Sequence, residues 1–219
     1  MGVYLFEADT LTDCLCRDAA LQSKHDFGHD IIPSLVPSGT VFAHPFQDEN
    51  HKAVNYWRDI GTLDSYYETS MDLVRVDPLF NLYDSAFPVH TYTPPRPPAK
   101  LVFAGGETGR IGVALDSLLC NGCVVSGGRV ERSILSPDVR INSYALVEDS
   151  ILFNGVEVGR HAKIRRAIID KDVKVPANTS IGYDLEQDLE RFTVTNSGIV
   201  VIPKGAFIEQ GSFAMKTEG

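Results

Sequence analysis

The chain has 219 residues, 43% of them hydrophobic, enough for one large or two modest domains with a buried core. Its 20 Lys and Arg stand against 29 Asp and Glu, a formal charge of −9. That balance speaks against a general nucleic-acid or anionic-membrane surface and confines any anion site to a local basic cluster. No apolar run has the length of a membrane span, and Met1 to Phe6 lacks the charged and apolar regions of a signal peptide, so a cytoplasmic protein is expected.

The four cysteines form two close pairs, Cys14 with Cys16 and Cys120 with Cys123. They do not read as an oxidised framework, and a reducing compartment is expected. Cys120-Asn-Gly-Cys123 has the spacing of half a zinc knuckle, but no second pair follows at a useful distance, so these are read as structural thiols with no metal assigned.

In chain order, Gly2–Phe6 alternates like a strand, and Asp9 or Thr10 can cap a short helix with Leu11, Cys14 and Leu15 on one face. His25 and His29, four apart with carboxylates beside them, would face one metal if the segment were helical. Gly28 and Pro33 argue instead for a loop and short helix with surface histidines. Val41–Phe46 reads as a strand and Gln47–His51 as a polar turn.

Thr62 is a good N-cap for a helix running to about Val74, with Asp64 in its first turn and Leu63, Tyr66, Tyr67, Met71 and Val74 on its apolar face. Asp59 therefore lies just before a helix start, flanked by Trp57 and Arg58. Such a carboxylate can ligate Mg²⁺ or orient a sugar, and can equally be a turn residue; the residues alone leave that open. Leu79–Tyr83 reads as a short helical extension. Pro88, Pro94, Pro95, Pro97 and Pro98 then forbid regular helix over 84–100 and mark a linker between domains at 1–83 and 101–219.

Gly105–Gly109 reads as a turn, since no lysine or helix signature follows its glycines. From about Gly122 to Tyr183 the chain falls into rows of seventeen residues. Val139, Val156 and Val173 form one column; Ile141, Val158 and Val175 another; then Ala145, Ala162 and Thr179; Val147, Ile164 and Ile181; and Ile151 over Ile168. Within a row, Val139, Ala145 and Ile151 stand six apart. Three six-residue units with one residue dropped predict a left-handed parallel β-helix about four coils tall, with these columns as its apolar core. Asp184–Arg191 is a charged excursion and Gly198–Pro203 a closing strand. His161 is the one histidine of the coils, and an acyltransferase site built around it is a weaker reading on fold analogy alone.

Taken together, Met1-Gly-Val-Tyr-Leu-Phe, His25-Asp-Phe-Gly-His-Asp-Ile-Ile-Pro33, Tyr56-Trp-Arg-Asp-Ile-Gly-Thr-Leu-Asp-Ser-Tyr66 and the Pro-rich bridge to a hexapeptide β-helix resemble the glucose-1-phosphate adenylyltransferase family. The coils add Ser133-Ile-Leu-Ser-Pro137, Arg165-Arg-Ala-Ile-Ile-Asp-Lys171 and Gly198-Ile-Val-Val-Ile-Pro-Lys204 in the family's order. The resemblance implies α/β plus all-β architecture, a partial Rossmann-like nucleotidyltransferase domain followed by the β-helix. It also implies adenylyl transfer from ATP to glucose 1-phosphate in glycogen or starch synthesis, with Mg²⁺, phosphorylated metabolite effectors and a homotetramer at full length.

By that resemblance Tyr4, Asp26, Phe27, Trp57 and Asp59 line the glucose 1-phosphate pocket, and Asp59 is also a Mg²⁺ ligand. Lys171 and Lys204 match positions that bind phosphate-bearing activators, with Arg165 and Arg166 as further candidates; the other reading is solvated surface charge. The family's Gly-rich nucleotide loop, first metal aspartate and sugar-phosphate lysine have no counterpart here, and Met1 matches a methionine inside a strand of the catalytic domain. The expectation is a C-terminal portion inactive alone, or at most a β-helix oligomerisation and effector-binding module.

Overall fold

The computed structural model describes residues 2–47, 55–105 and 109–209. The chain divides into two compact units, Met1–Trp57 and Arg58–Gly219.

The first unit is built from short helices. Helix α1, Ala8–Ala19, is capped at Glu7 rather than at Asp9 or Thr10; Asp9 lies in its first turn and Arg17 in its last, each suited to the helix dipole. Cys14 is buried under it, whereas Leu15 stays exposed. Asp26 then caps a π-helical turn, Phe27–Ile31, which runs into α2, Ile32–Leu35. The segment is thus more helical than Gly28 and Pro33 suggested. Pro33 sits in the first turn of α2, where its missing N–H would have had no partner inside that helix. The strands expected at Gly2–Phe6 and Val41–Phe46 do not form: both are irregular, with Val3, Leu5 and Phe42 exposed. Strand alternation needs a neighbour to take its backbone hydrogen bonds, and among the described residues Val41–Phe46 takes a single one from across the chain, Asn55 N–H to Phe46 O at 3.3 Å, too little for a ladder. Most of the expected polar turn at Gln47–His51 lies outside the described residues.

The second unit opens with α3, Leu63–Asp72, at the position its sequence cap predicts. Thr62 and Ser65 form a reciprocal capping box. Leu79–Tyr83 does not extend it. The Asp72 carboxylate draws in the Leu79 N–H at 3.3 Å and Asn81 accepts the Tyr83 N–H at 2.9 Å, so local side chains hold this stretch in turns. The Pro-rich stretch has no regular structure, but its end already lies on the coils: Gly122 N–H donates to Pro97 O at 2.7 Å, and Arg96 pairs with Asp138 at 2.7 Å.

Three parallel faces follow. One stacks Lys100–Val102, Val124–Ser126, Arg140–Ile141, Glu157–Val158 and Lys174–Val175; the second Val113–Leu115, Arg129–Glu131, Leu146–Glu148, Lys163–Arg165 and Ser180–Ile181. The third stacks Leu118–Leu119, Ile134–Leu135, Ile151–Leu152, Ala167–Ile169 and Val200–Ile202, with Thr193–Val194 antiparallel at its edge. Five strands on each face stack as five layers of the left-handed β-helix, beginning a layer earlier than the row at Gly122.

Four of the five repeat columns point inward and are almost wholly buried. The fifth does not. Ile151 and Ile168 are in register, but they join Tyr67 and Ile199 in a separate apolar cluster on the outside of the third face, while Leu152 and Ile169 fill the interior. A helix covers that outer column, and the helix is α3.

At one corner, Ser150 N–H donates to Ser133 Oγ (3.1 Å) and Ala167 N–H to Ser150 Oγ (3.2 Å), which satisfies backbone donors that the turn takes out of the sheet. The coils close on α4, Leu185–Arg191, capped by Asp184. Asp188 is 1% exposed, accepts Gly182 N–H at 2.7 Å and pairs with Arg191 at 2.9 Å.

Candidate functional site

In the first unit the structure brings Tyr4, Phe27 and Asp26 together. The Tyr4 and Phe27 rings stack with centroids 5.9 Å apart, and Phe6 closes a three-ring group at 5.8 Å from Phe27. Asp26 Oδ1 accepts His29 N–H at 2.7 Å, and the space above Gly28 is bounded by Asp26 Oδ1 and Tyr4 OH, each 3.4 Å from where a Cβ would be. An aromatic face beside a carboxylate and a phenol suits a polyhydroxylated ring, which presents C–H to the former and O–H to the latter.

The two histidines are engaged separately. His25 Nδ1 meets Asp18 at 2.7 Å, and His29 Nδ1 meets Asp30 at 3.1 Å. Hydrogen bonds from Ser23 and His25 hold Asp18 below the usual carboxylate range, and His29 does the same for Asp30. Trp57 closes the first unit and is half exposed.

Asp59 belongs to the second unit. Its Oδ1 accepts the Gly61 N–H at 3.2 Å, an Asx turn that leads into the Thr62 cap of α3. Its Oδ2 takes no hydrogen bond among the described residues, and the side chain is exposed. No group of three or more potential ligands gathers around a metal among the described residues. One free hard oxygen still suits Mg²⁺, which binds through one or two carboxylates and takes its other ligands from water and substrate phosphates.

The basic residues fall into two places. Ile169 pairs with Ile202 in the ladder, so Lys171 and Lys204 emerge side by side where those strands end. Lys171 Nζ lies 3.2 Å from Asp170 and 5.0 Å from the Phe153 ring centroid; Lys204 Nζ lies 3.7 Å from Asp172. Arg165 ends the Lys163–Arg165 strand of the second face, over Tyr183 at 4.5 Å, and Arg166 stands at the corner before Ala167–Ile169, over Tyr67 at 5.6 Å. The lysines and arginines therefore form separate clusters. His161 stacks on Tyr144 at an exposed corner, centroids 4.9 Å apart.

All four cysteines are free. Cys123 points its thiol at the Ser136 carbonyl, 3.1 Å away, and burial pushes its pKa up to about 11. No described helix is long and apolar enough to cross a membrane.

Residues 1–75 match a nucleotidyl transferase family model, and residues 97–202 match the model of a GlmU-like, C-terminal hexapeptide. The glucose-1-phosphate adenylyltransferase of Koribacter versatilis is 53% identical over 93% of this chain and 49% of its own length. Those of Rhodopirellula baltica and Anaeromyxobacter sp. are 54% and 53% identical over 95% of this chain, and over 47% and 52% of their own lengths. Over nearly all of its length the chain is similar to glucose-1-phosphate adenylyltransferases. It spans about half the length of the curated relatives it matches.

The contacts of α3 with the coils are what motif reading missed. Tyr67 OH donates to Asp149 O at 2.5 Å, and the Asp64 carboxylate accepts from Thr195 Oγ1 at 2.7 Å and from Ser197 Oγ. The one available signal was the apolar column Ile151 over Ile168, whose outward direction the seventeen-residue period does not show.

Proposed function

We propose that this chain is part of an enzyme that transfers an adenylyl group from ATP to glucose 1-phosphate, releasing pyrophosphate. The observation that carries this reading is about 53% identity to named adenylyltransferases across nearly all of the chain. Tyr4, Phe27 and Trp57 offer ring faces to the sugar, and Asp26 accepts from its hydroxyls. The phosphate of glucose 1-phosphate attacks the α-phosphorus of ATP in line, a reaction governed by positioning and by neutralising charge on the phosphates rather than by a strong base. Asp59 would hold Mg²⁺, which supplies that neutralisation when bound. Lys171 and Lys204 would take a phosphorylated effector, their compact ammonium groups acting as point charges. We further infer a homotetramer in the cytoplasm, serving glycogen or starch synthesis.

A nucleotide loop is needed, and the one glycine cluster before the coils, Gly105–Gly109, carries no lysine. The 219-residue chain by itself is therefore expected to release no pyrophosphate from ATP and glucose 1-phosphate. Activity should appear in the completed enzyme, this chain joined to the part of its relatives' length that it does not span. A folded, completed enzyme that makes no ADP-glucose would overturn the reading.

A further inference from the structure

Asp59 is the exposed end of a short mechanical path. Its carboxylate is tied to Gly61, the next residue caps α3 through the Thr62–Ser65 box, and two residues into the helix Asp64 is tied to the coils. Between the anchor at Asp64 and the carboxylate at Asp59 there are only four residues, and every link is a hydrogen-bonded turn or cap.

The anchor itself is organised. Thr195 and Ser197 lie in the turn between Thr193–Val194 and Val200–Ile202. Thr195 Oγ1 accepts the Ile199 N–H at 3.2 Å and lies 3.1 Å from Ser197 Oγ, so that both hydroxyls are aimed at one carboxylate 131 and 133 residues earlier in the chain. One turn further along α3, Tyr67 is 5% exposed, inserted against Ile151, Ile168 and Ile199, with its hydroxyl on the Asp149 carbonyl. Tyr66 stacks on Phe153 at 6.4 Å. Burial of Tyr67, with Tyr66 and Met71 beside it, docks the apolar face of the helix. Two hydroxyls converging on the first turn do something else: they fix the helix against rotation and sliding at the end next to Asp59.

We propose that Asp64, with Thr195 and Ser197, is a positioning element for Asp59, holding the Asp59–Thr62 turn, and with it the carboxylate offered to Mg²⁺, at one place on the coil stack. The proposal rests on the reading of Asp59 as a Mg²⁺ ligand. It also gives the coils a direct hold on the reaction site, because the turn that grips Asp64 leads straight into Val200–Ile202, the strand that ends beside Lys204.

The test removes both donors with Thr195→Val and Ser197→Ala, and keeps a hydroxyl in the control Thr195→Ser. In the 219-residue chain, hydrogen exchange at Gly61 and Ser65 should quicken at least about tenfold, as expected when hydrogen bonds to a charged group are lost, while Ile164 and Val158 in the coils stay protected. In the completed enzyme, the Mg²⁺ concentration for half-maximal rate should rise by about the same factor with much of the turnover regained at saturating Mg²⁺, and Thr195→Ser should behave as the parent. If Asp59→Asn abolishes turnover but the double variant leaves both the exchange of Gly61 and the Mg²⁺ response unchanged, the positioning role is wrong and the Asp59 assignment stands. If Asp59→Asn itself leaves the Mg²⁺ response unchanged, the Asp59 assignment fails and takes the proposal with it. Exchange quickened throughout the coils would show a general loss of structure, and would also count against it.

Discussion

The hydroxyl of Tyr67 donates to the carbonyl of Asp149 at 2.5 Å, joining the helix that follows Asp59 to the corner of the third coil layer. This bond crosses 82 residues of sequence, and its donor ring is buried in the apolar cluster of Ile151, Ile168 and Ile199.

Tyr67→Phe keeps the ring and its burial but leaves the Asp149 carbonyl without this donor. A loss of about 1 to 2 kcal/mol is expected from a single buried hydrogen bond, read as a lower urea midpoint for α3 relative to the coils. An unchanged midpoint would mean that the ring alone docks the helix.

Burial pushes the Tyr67 pKa up to about 12. Since the folded state then holds its proton more tightly than the unfolded chain, whose tyrosines titrate near 10, this contribution is complete below about pH 10 and is lost as pH rises toward 12. Titration at 295 nm should show a step near pH 12 that shrinks in Tyr67→Phe, with hydrogen exchange in α3 of the parent accelerating over the same interval.

Asp64 titrates in the opposite sense. The hydroxyls of Ser197 and Thr195, followed by the nearby charge of Arg166, hold its pKa below the ordinary value. Its contribution is present above the unfolded carboxylate range and disappears as pH falls through the depressed folded value. Acid should therefore free the first turn of α3 before the coils open, and Asp64→Asn should remove that acid-induced loss of protection at Ser65, whose N–H is held by the Thr62 hydroxyl.

Gly182 has φ of 79°, and a Cβ there would collide with the Arg165 carbonyl oxygen. Gly182→Ala should cost roughly 2 kcal/mol or more through left-handed strain and overpacking, seen as a lower melting temperature of the coils.

In the completed enzyme, Lys171→Ala and Lys204→Ala should weaken activation while leaving the basal rate intact, because an effector acts through differential affinity for two states. Titrations with fructose 1,6-bisphosphate, fructose 6-phosphate, 3-phosphoglycerate and phosphate would test this. Four curves matching the parent would remove the site. Arg165→Ala, whose side chain lies on the second face over Tyr183, serves as the comparison.

Much of this molecule is decided within a few residues of sequence. The period of seventeen specifies the coils because each residue's neighbour in the stack is the one a full turn away, so a repeated aliphatic column is also a packed column. Thr62 caps α3 because a hydroxyl three residues before Ser65 finds its backbone N–H without help from elsewhere. Tertiary structure decided the rest. Ile151 and Ile168 share the period of the inner columns, yet they face outward, since two adjacent residues on a strand point to opposite sides and only α3 makes the outer side apolar. Alternation at Gly2–Phe6 and Val41–Phe46 did not become strand, because a strand exists only with a partner. Arg165 and Arg166 lie close in sequence to Lys171 but at the opposite corner of the coil, and Lys204, 33 positions from Lys171, stands beside it, because the coil returns the chain to the same face. The grip of Thr195 and Ser197 on Asp64 is the extreme case: local propensity carries no trace of a contact made 131 residues away.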